Sequence, residues 1–185
     1  MYIPLFIHSY FSLLRGLNSP TQIIEKAKSF NMSACALTDI NSMAGCVEFY
    51  KKAKDQNIKP IIGLLATLEN FSTILLIALN ESGYKSLLKI NSRINSSTNF
   101  KYNQNYLDID YLKKLDISHI VCITGHEGSS LYTELVEDFK IKEENLVGVH
   151  IKKLLDLFQD NLYIELQFSE DNKLSKEIKK EYIKI

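Results

Sequence analysis

Short apolar runs alternate along the chain with segments that have helical periodicity. Six runs of strand length predict β-strands at residues 2–7, 34–38, 60–66, 73–79, 119–124 and 162–168. Between them, apolar residues recur every three or four positions, as for Ile23, Ile24 and Ala27 after a helix start at Ser19-Pro20. This alternation is typical of β-α-β units built around a mainly parallel sheet.

The same pattern predicts seven helices. One begins at Pro20, one ends near residue 56, and one carries Tyr84, Leu87, Leu88 and Ile90 inward. The other four are expected at residues 108–115, 130–139, 146–158 and 171–182. Residues 91–105, rich in Ser and Asn, predict a long surface loop. Polar residues gather just after the strand ends and no glycine-rich nucleotide motif is present, so a barrel is favoured over an open sheet. Residues 183–185 predict the start of another strand, so the last strands are expected after Ile185.

Composition narrows the range of functions. The 185 residues are 45% hydrophobic, which is enough to bury the core of a single domain spanning residues 1–185. Lys and Arg total 22, as do Asp and Glu, so no net positive field favours autonomous DNA binding. The three cysteines form no CxxC pair, which excludes a zinc ribbon and predicts reduced, buried thiols. With no signal peptide and no apolar run of membrane-spanning length, a cytoplasmic protein is expected.

Several segments resemble one family. Residues 6–16, FIHSYFSLLRG, are similar to the HxHSxYSLLDG run that opens PHP domains of bacterial DNA polymerase III alpha subunits. Residues 36–63 resemble the family run ALTDHGNMxGAVEFYxxAKxxGIKPIIG almost residue for residue. Further similarity lies at residues 83–90 (GYKSLLKI), 123–128 (ITGHEG) and 162–167 (LYIELQ). The resemblance therefore covers nearly the whole chain in the family's order.

The resemblance implies an α/β fold of the PHP type, a distorted seven-stranded (β/α) barrel at the amino terminus of a larger polypeptide. The parent would be a DNA-directed DNA polymerase, a nucleotidyltransferase that uses Mg²⁺ in DNA replication. Expected partners are the thumb and palm of the same polymerase chain, and a proofreading exonuclease or another replisome subunit. DNA would be met only through the full polymerase, and no membrane is involved. This domain alone is expected to be non-catalytic, with a scaffolding role and no cofactor of its own.

The expectation of an inactive domain comes from the family's metal-ligand positions. Five of them carry residues unsuited to a cation: Pro4, Phe6, Arg15, Ile40 and Leu65. His8 is retained, His126 stands where the family has a cysteine, and both are remnant ligand candidates. Asn95 aligns loosely with another histidine position. Asp39 directly follows a strand and is predicted to cap the turn at residues 41–45, or to support a ligand from behind.

Two other functions remain open at this stage. In a metal-dependent phosphoesterase or 3′–5′ proofreading exonuclease, His8, Asp39 and His126 would recruit an ion whose coordination the substrate oxygens complete. In the second alternative, the chain would be the PHP domain of a stand-alone enzyme such as histidinol phosphatase, or of a family X polymerase. The runs FSLL and VEFY argue against this, because they look specific to the alpha subunit.

Overall fold

The computed structural model describes residues 2–70, 72–96, 100–101, 104–126, 129, 132 and 146–165. Its strands are β1 (Ala34–Leu37), β2 (Lys59–Thr67), β3 (Thr73–Ala78), β4 (Phe100–Lys101), β5 (Gln104–Asn105), β6 (Ile120–Thr124) and β7 (Leu162–Ile164). Its helices are α1 (Pro20–Ser29), α2 (Cys46–Asp55), α3 (Glu81–Ile94), α4 (Ile109–Leu112) and α5 (Leu146–Phe158), with a 3₁₀ turn at Gln159–Asn161. The described helices include none that is long and apolar enough to cross a membrane.

Five strands form one mixed sheet in the order β1-β2-β3-β6-β7, which confirms the α/β class. The outer pairs β1-β2 and β6-β7 are parallel, whereas β2-β3 and β3-β6 are antiparallel. The expectation of a mainly parallel sheet was therefore wrong at its centre. Only residues 68–72 connect β2 to β3, and a connection that short can join antiparallel strands only. Within the described residues the sheet does not close into a barrel.

Two apolar layers cover the two faces of the sheet. On one face, side chains such as Leu64, Leu76 and Cys122 pack with the helices in the main core. On the other face, Leu65, Leu75 and Ile77 form a smaller cluster with partly buried neighbours that include Ile40. Successive residues of a strand point to opposite faces, so continuous apolar runs such as that of β3 supply both layers.

Helix boundaries follow local signals. Ser19 caps α1 in a capping box with Gln22, and Pro20 occupies the first turn, as predicted. Helix α5 has the predicted bounds. Helix α3 continues to Ile94 and β4 and β5 form a hairpin, so residues 91–105 are not one long loop. Leu88 was expected to face inward but is 38% exposed.

Three other segments differ from prediction. Residues 2–7 form no strand, although the Ile7 carbonyl accepts a hydrogen bond of 2.8 Å from the Thr38 amide. The predicted helix 108–115 is only the single turn of α4. β6 begins at Ile120, one residue after the predicted start, and the described part of the predicted strand 162–168 is β7. The predicted helices 130–139 and 171–182 lie outside the described residues, apart from Tyr132.

Candidate functional site at the strand ends

A cleft of about 1160 Å³ opens at the edge of the sheet where β1 and β2 end and β3 begins. Residues from several of the predicted positions line it together: Phe6, His8, Arg15, Ile40, Leu65 and Asn95. Pro4, Asp39 and His126 do not belong to this lining. The fold thus brings most of the sequence-predicted site residues to one place, because loops that follow neighbouring strand ends meet at the same edge of a sheet.

Asp39 lies beneath the cleft, 1% exposed, and its carboxylate holds the N-terminal loop. Oδ1 accepts hydrogen bonds of 2.6 Å from both the Ser9 amide and the Ser12 hydroxyl. Oδ2 accepts one of 2.7 Å from the Ser9 hydroxyl. The prediction that Asp39 caps the turn at residues 41–45 was therefore wrong, because its oxygens point to the serines of the preceding loop.

His8 is anchored at the end of β1. Its Nδ1 lies 2.7 Å from the Thr38 carbonyl oxygen, and because a carbonyl can only accept, Nδ1 carries the proton and donates. The Phe6 ring approaches the His8 ring edge-on, with 4.9 Å between centroids. The hydrogen bond fixes the orientation of the His8 ring within the cleft wall.

His126 is 1% exposed and borders Phe6, with ring centroids 5.1 Å apart. Its Nε2 lies 2.8 Å from the Thr73 hydroxyl, while Nδ1 is buried without a hydrogen-bond partner among the described residues. Burial, together with the nearby His8, lowers the pKa of His126 from 6.5 to about 4. The imidazole is therefore neutral at physiological pH.

Backbone geometry holds His126 in this position. The preceding Gly125 has a φ of 101°, and a Cβ there would lie 2.5 Å from the Glu165 carbonyl oxygen, so only glycine fits. The Ser129 hydroxyl accepts the Gly125 amide at 2.9 Å, and the Ser129 amide donates to the His126 carbonyl at 2.9 Å.

Three apolar residues occupy positions where the resemblance implies metal ligands. Ile40 and Leu65 form an isolated parallel bridge, in which the Leu65 amide donates to the Asp39 carbonyl at 3.0 Å. Leu65 is 4% exposed and joins the smaller apolar cluster, whereas Phe6 is 36% exposed. Arg15 lies on the exposed rim of the cleft.

A network of asparagine side chains also lines the cleft, and the sequence pattern indicated only one of its members. The Asn41 side chain accepts from the Thr67 amide at 2.9 Å and donates to the Thr67 hydroxyl at 3.0 Å and to the Asn105 carbonyl at 3.1 Å. Asn95 donates to the Asn41 carbonyl at 2.9 Å and accepts from the Asn105 side chain at 3.0 Å. The available sequence signal was the residue type of Asn41, because Asn adopts a left-handed backbone more readily than most residues, and Asn41 has a φ of 49°.

The cleft combines hydrogen-bonding side chains with apolar ones, and Arg15 lies on its rim. In the part of the chain that the structure describes, no three His, Cys, Asp or Glu side chains converge closely enough to hold a metal ion. Cys35, Cys46 and Cys122 are free and buried, which confirms the prediction of reduced, buried thiols. The described arrangement can therefore pack and hydrogen-bond, and it offers few groups for acid-base chemistry.

Comparison with known proteins gives a consistent result. A family model described as PHP domain matches residues 5–169. DNA polymerase III subunit alpha of Borreliella burgdorferi is 36% identical over 180 residues, and that of Aquifex aeolicus is 30% identical over 185 residues. Each match covers 90% of this chain and 15% of the relative, so the chain spans about one seventh of the length of these curated relatives.

A solved structure of low sequence similarity shares the fold. The crystal structure of a presumed metal-dependent phosphoesterase from Bifidobacterium adolescentis superposes with a TM-score of 0.58 at 10% identity. The match covers 98% of this chain and 83% of that protein. At this level of identity the likeness concerns the fold alone.

Proposed function

The chain belongs to the PHP domain family, and from this premise we propose that it is the PHP segment of a replicative DNA polymerase III alpha subunit, where it serves as a scaffold without metal-dependent catalysis. The polymerase part of the proposal is supported by the two alpha subunits, whose similarity extends over 90% of this chain. The scaffolding part is supported by the cleft.

The described residues of the cleft do not fit the metal cluster that the family implies. Metal-binding sites of this kind need several imidazole or carboxylate ligands around a shared point. Here both Asp39 oxygens accept hydrogen bonds from Ser9 and Ser12. His8 keeps Nε2 as its one possible ligand atom, because Nδ1 donates to the Thr38 carbonyl. The single observation that carries the proposal is that Leu65 lies in the smaller apolar cluster and Ile40 packs against that cluster, although both residues stand at ligand positions.

Apolar packing would then hold together the loops that metal ions hold in active relatives. The Ile40-Leu65 bridge joins the end of β1 to β2, and the Asn41 amide donates to the Leu65 carbonyl at 2.9 Å. Because buried apolar contacts need no ion, the segment would keep its shape in the presence of a chelator. In the parent polypeptide such a rigid segment would support the thumb and palm, and would offer a surface to a proofreading exonuclease.

Metal analysis of the full-length polypeptide tests the catalytic part of the proposal. After purification without chelator, inductively coupled plasma mass spectrometry should find no transition metal that is lost on His8→Ala with His126→Ala. Asp39 is unsuitable for this comparison because its replacement would release the N-terminal loop. A matched control is His119→Ala, a substitution outside the cleft.

A positive result would have one clear meaning. A stoichiometric metal that disappears in the double variant but not in the control, together with 3′–5′ hydrolysis of DNA, would establish the phosphoesterase or exonuclease alternative instead. The polymerase part has its own test, because primer extension by the full-length polypeptide with Mg²⁺ should depend on regions outside residues 1–185.

A further inference from the structure

The edge of the sheet opposite the cleft is formed by the ends of two helices and the starts of two strands. Helices α1 and α2 pack side by side, and each leads into a strand of the parallel pair β1-β2, whose first residues lie in register. The Lys59 amide donates to the Ser33 carbonyl at 2.9 Å. The Lys28 ammonium donates to the Gln56 carbonyl at 3.1 Å and so links the end of α1 to that of α2. These contacts make the edge one continuous surface.

This surface is rich in lysine. We call it the basic edge and define it by Lys26, Lys28, Lys52, Lys54 and Lys59. Two carboxylates lie nearby: Glu25 pairs with Lys52 at 3.0 Å, and Asp55 is exposed at the end of α2. Among the described residues, Lys26, Lys54 and Lys59 form no ion pair. The chain as a whole carries no net charge, so this excess of cations is local, and a local excess is enough to attract phosphate groups.

Two exposed aromatic rings accompany these lysines. Phe30, at the end of α1, is 60% exposed, and the Lys26 ammonium lies 4.7 Å from its ring centroid. Tyr50 on α2 is 49% exposed, and the Lys54 ammonium lies 5.5 Å from its ring centroid. Lysines in the last turn of a helix also interact favourably with the helix dipole, but Lys59 begins a strand and the rings are uncharged. The edge therefore combines cations with aromatic surface.

We propose that the basic edge binds a single strand of DNA, at a site separate from the cleft. The inference rests on the proposed function, under which the parent polypeptide works on DNA. Proteins bind single strands by placing cations along the phosphates and aromatic rings against unpaired bases. In a duplex the bases are stacked on one another, so Phe30 would have no base face to contact. The pairing of an exposed ring with neighbouring lysines thus fits a single strand better than a duplex.

Photo-crosslinking of the full-length polypeptide tests the inference. A single-stranded oligonucleotide that carries 5-iododeoxyuridine reacts under ultraviolet light with aromatic side chains that stack on the modified base. An excess of unmodified primer-template fills the binding site of the polymerase itself. Peptide mass spectrometry should find the crosslink at Phe30 about tenfold more often than at Tyr163 of β7, which is 55% exposed and lies outside the basic edge. Equal yields at the two positions, or no crosslink at Phe30, would overturn the proposal.

Charge variants test whether the lysines hold the strand. Lys26→Gln with Lys59→Gln should lower the Phe30 crosslink about fivefold, because two phosphate contacts are lost. The matched control, Lys85→Gln with Lys89→Gln, removes the same charge from α3 and should leave the yield unchanged. An undiminished crosslink in the first variant, or an equal yield when the iodinated strand is part of a duplex, would contradict single-strand binding. Primer extension with Mg²⁺ reports the proposed function separately, because it does not depend on the crosslink at Phe30.

Discussion

At the scale of single residues, Asp39 keeps the aspartate of the family run. Its carboxylate is surrounded by serine donors rather than by the other ligands of a metal site. The carboxylate accepts three hydrogen bonds from a loop that has no regular secondary structure. Its role is to fix Ser9 and Ser12 of that loop through side-chain hydrogen bonds. That role follows from the serines at positions 9 and 12, and neither spacing nor hydropathy indicates which donors a buried acid will meet.

Asp39→Ala should destabilise the fold by roughly 2 to 4 kcal/mol, because three buried donors would lose their acceptor. Chemical denaturation followed by circular dichroism measures this free energy of unfolding. Asp55→Ala, at an exposed position at the end of α2, serves as the control and should change it by less than about 0.5 kcal/mol. A loss at position 39 as small as that at position 55 would contradict the anchoring role.

His126 makes the stability of the fold depend on pH. Its pKa is lowered to about 4 in the folded state from 6.5 in the unfolded state, so between these values the unfolded chain binds a proton that the folded chain does not. Stability should therefore fall as the pH drops from about 6.5 to about 4, by at most about 1.4 kcal/mol per pH unit.

Denaturation at a series of pH values isolates this contribution by comparison with a variant. His126→Gln keeps a polar atom for the Thr73 hydroxyl and cannot titrate, so the difference in unfolding free energy between the two proteins should shrink as the pH falls through that interval. His119→Gln serves as the control for the loss of a histidine outside the cleft. A constant difference between wild type and His126→Gln would show that His126 titrates equally in both states.

At the scale of elements, hydrophobic pattern was sufficient for most helices and strands and insufficient for their arrangement. The continuous apolar run of β3 predicts a strand buried on both faces, and both faces are indeed covered. The direction of β3 depends instead on the short connection at residues 68–72. The hydrophobic pattern of the strand does not indicate this direction. Residues 2–7 are apolar enough for a strand, but the Thr38 hydroxyl takes part in their hydrogen bonding, so no regular ladder forms.

The residues of the candidate site were predicted only in part from the sequence. Family resemblance placed Phe6, His8, Ile40 and Leu65 in one cleft, and the structure brings them together. The asparagine network was missed apart from Asn95, because its members come from four separate elements and amide side chains carry no characteristic spacing. Hydrogen-bonded polar groups that join distant elements become visible only once the fold has placed them.

The contribution of the asparagine network can be separated from that of the backbone. Asn41→Gly keeps the left-handed φ but removes three side-chain hydrogen bonds, at an expected cost of about 1 to 3 kcal/mol. Asn41→Ala should cost about 1 kcal/mol more, because alanine disfavours that φ. Exposed Asn57, with a φ of 55°, is the matched position: glycine should be nearly neutral there and alanine again about 1 kcal/mol worse. Equal free energies of unfolding for the two glycine variants would contradict the network.

At the scale of the whole molecule, three cysteines lie in separate elements that pack in the main core. Cys35 lies in β1, Cys46 opens α2 and Cys122 lies in β6, and all three are at most 3% exposed. The described ion pairs lie at the surface, where such pairs contribute little, so the cohesion of the segment depends on this shared apolar layer. When this core unfolds cooperatively, the three thiols should therefore become accessible to solvent together.

Burial raises the pKa of Cys35 to about 11, and burial with the charge of Asp39 raises that of Cys46 to about 12; burial also raises the pKa of Cys122. Because the thiolate is the reactive form, the folded protein should react with Ellman's reagent only through opening of the core. The three thiols should then be modified at one common rate that rises with urea in parallel with the unfolding constant. Mass spectrometry of partly reacted protein would show unmodified and triply modified chains. A species modified at Cys46 alone would instead reveal local opening of α2. That result would contradict unfolding as a single cooperative unit.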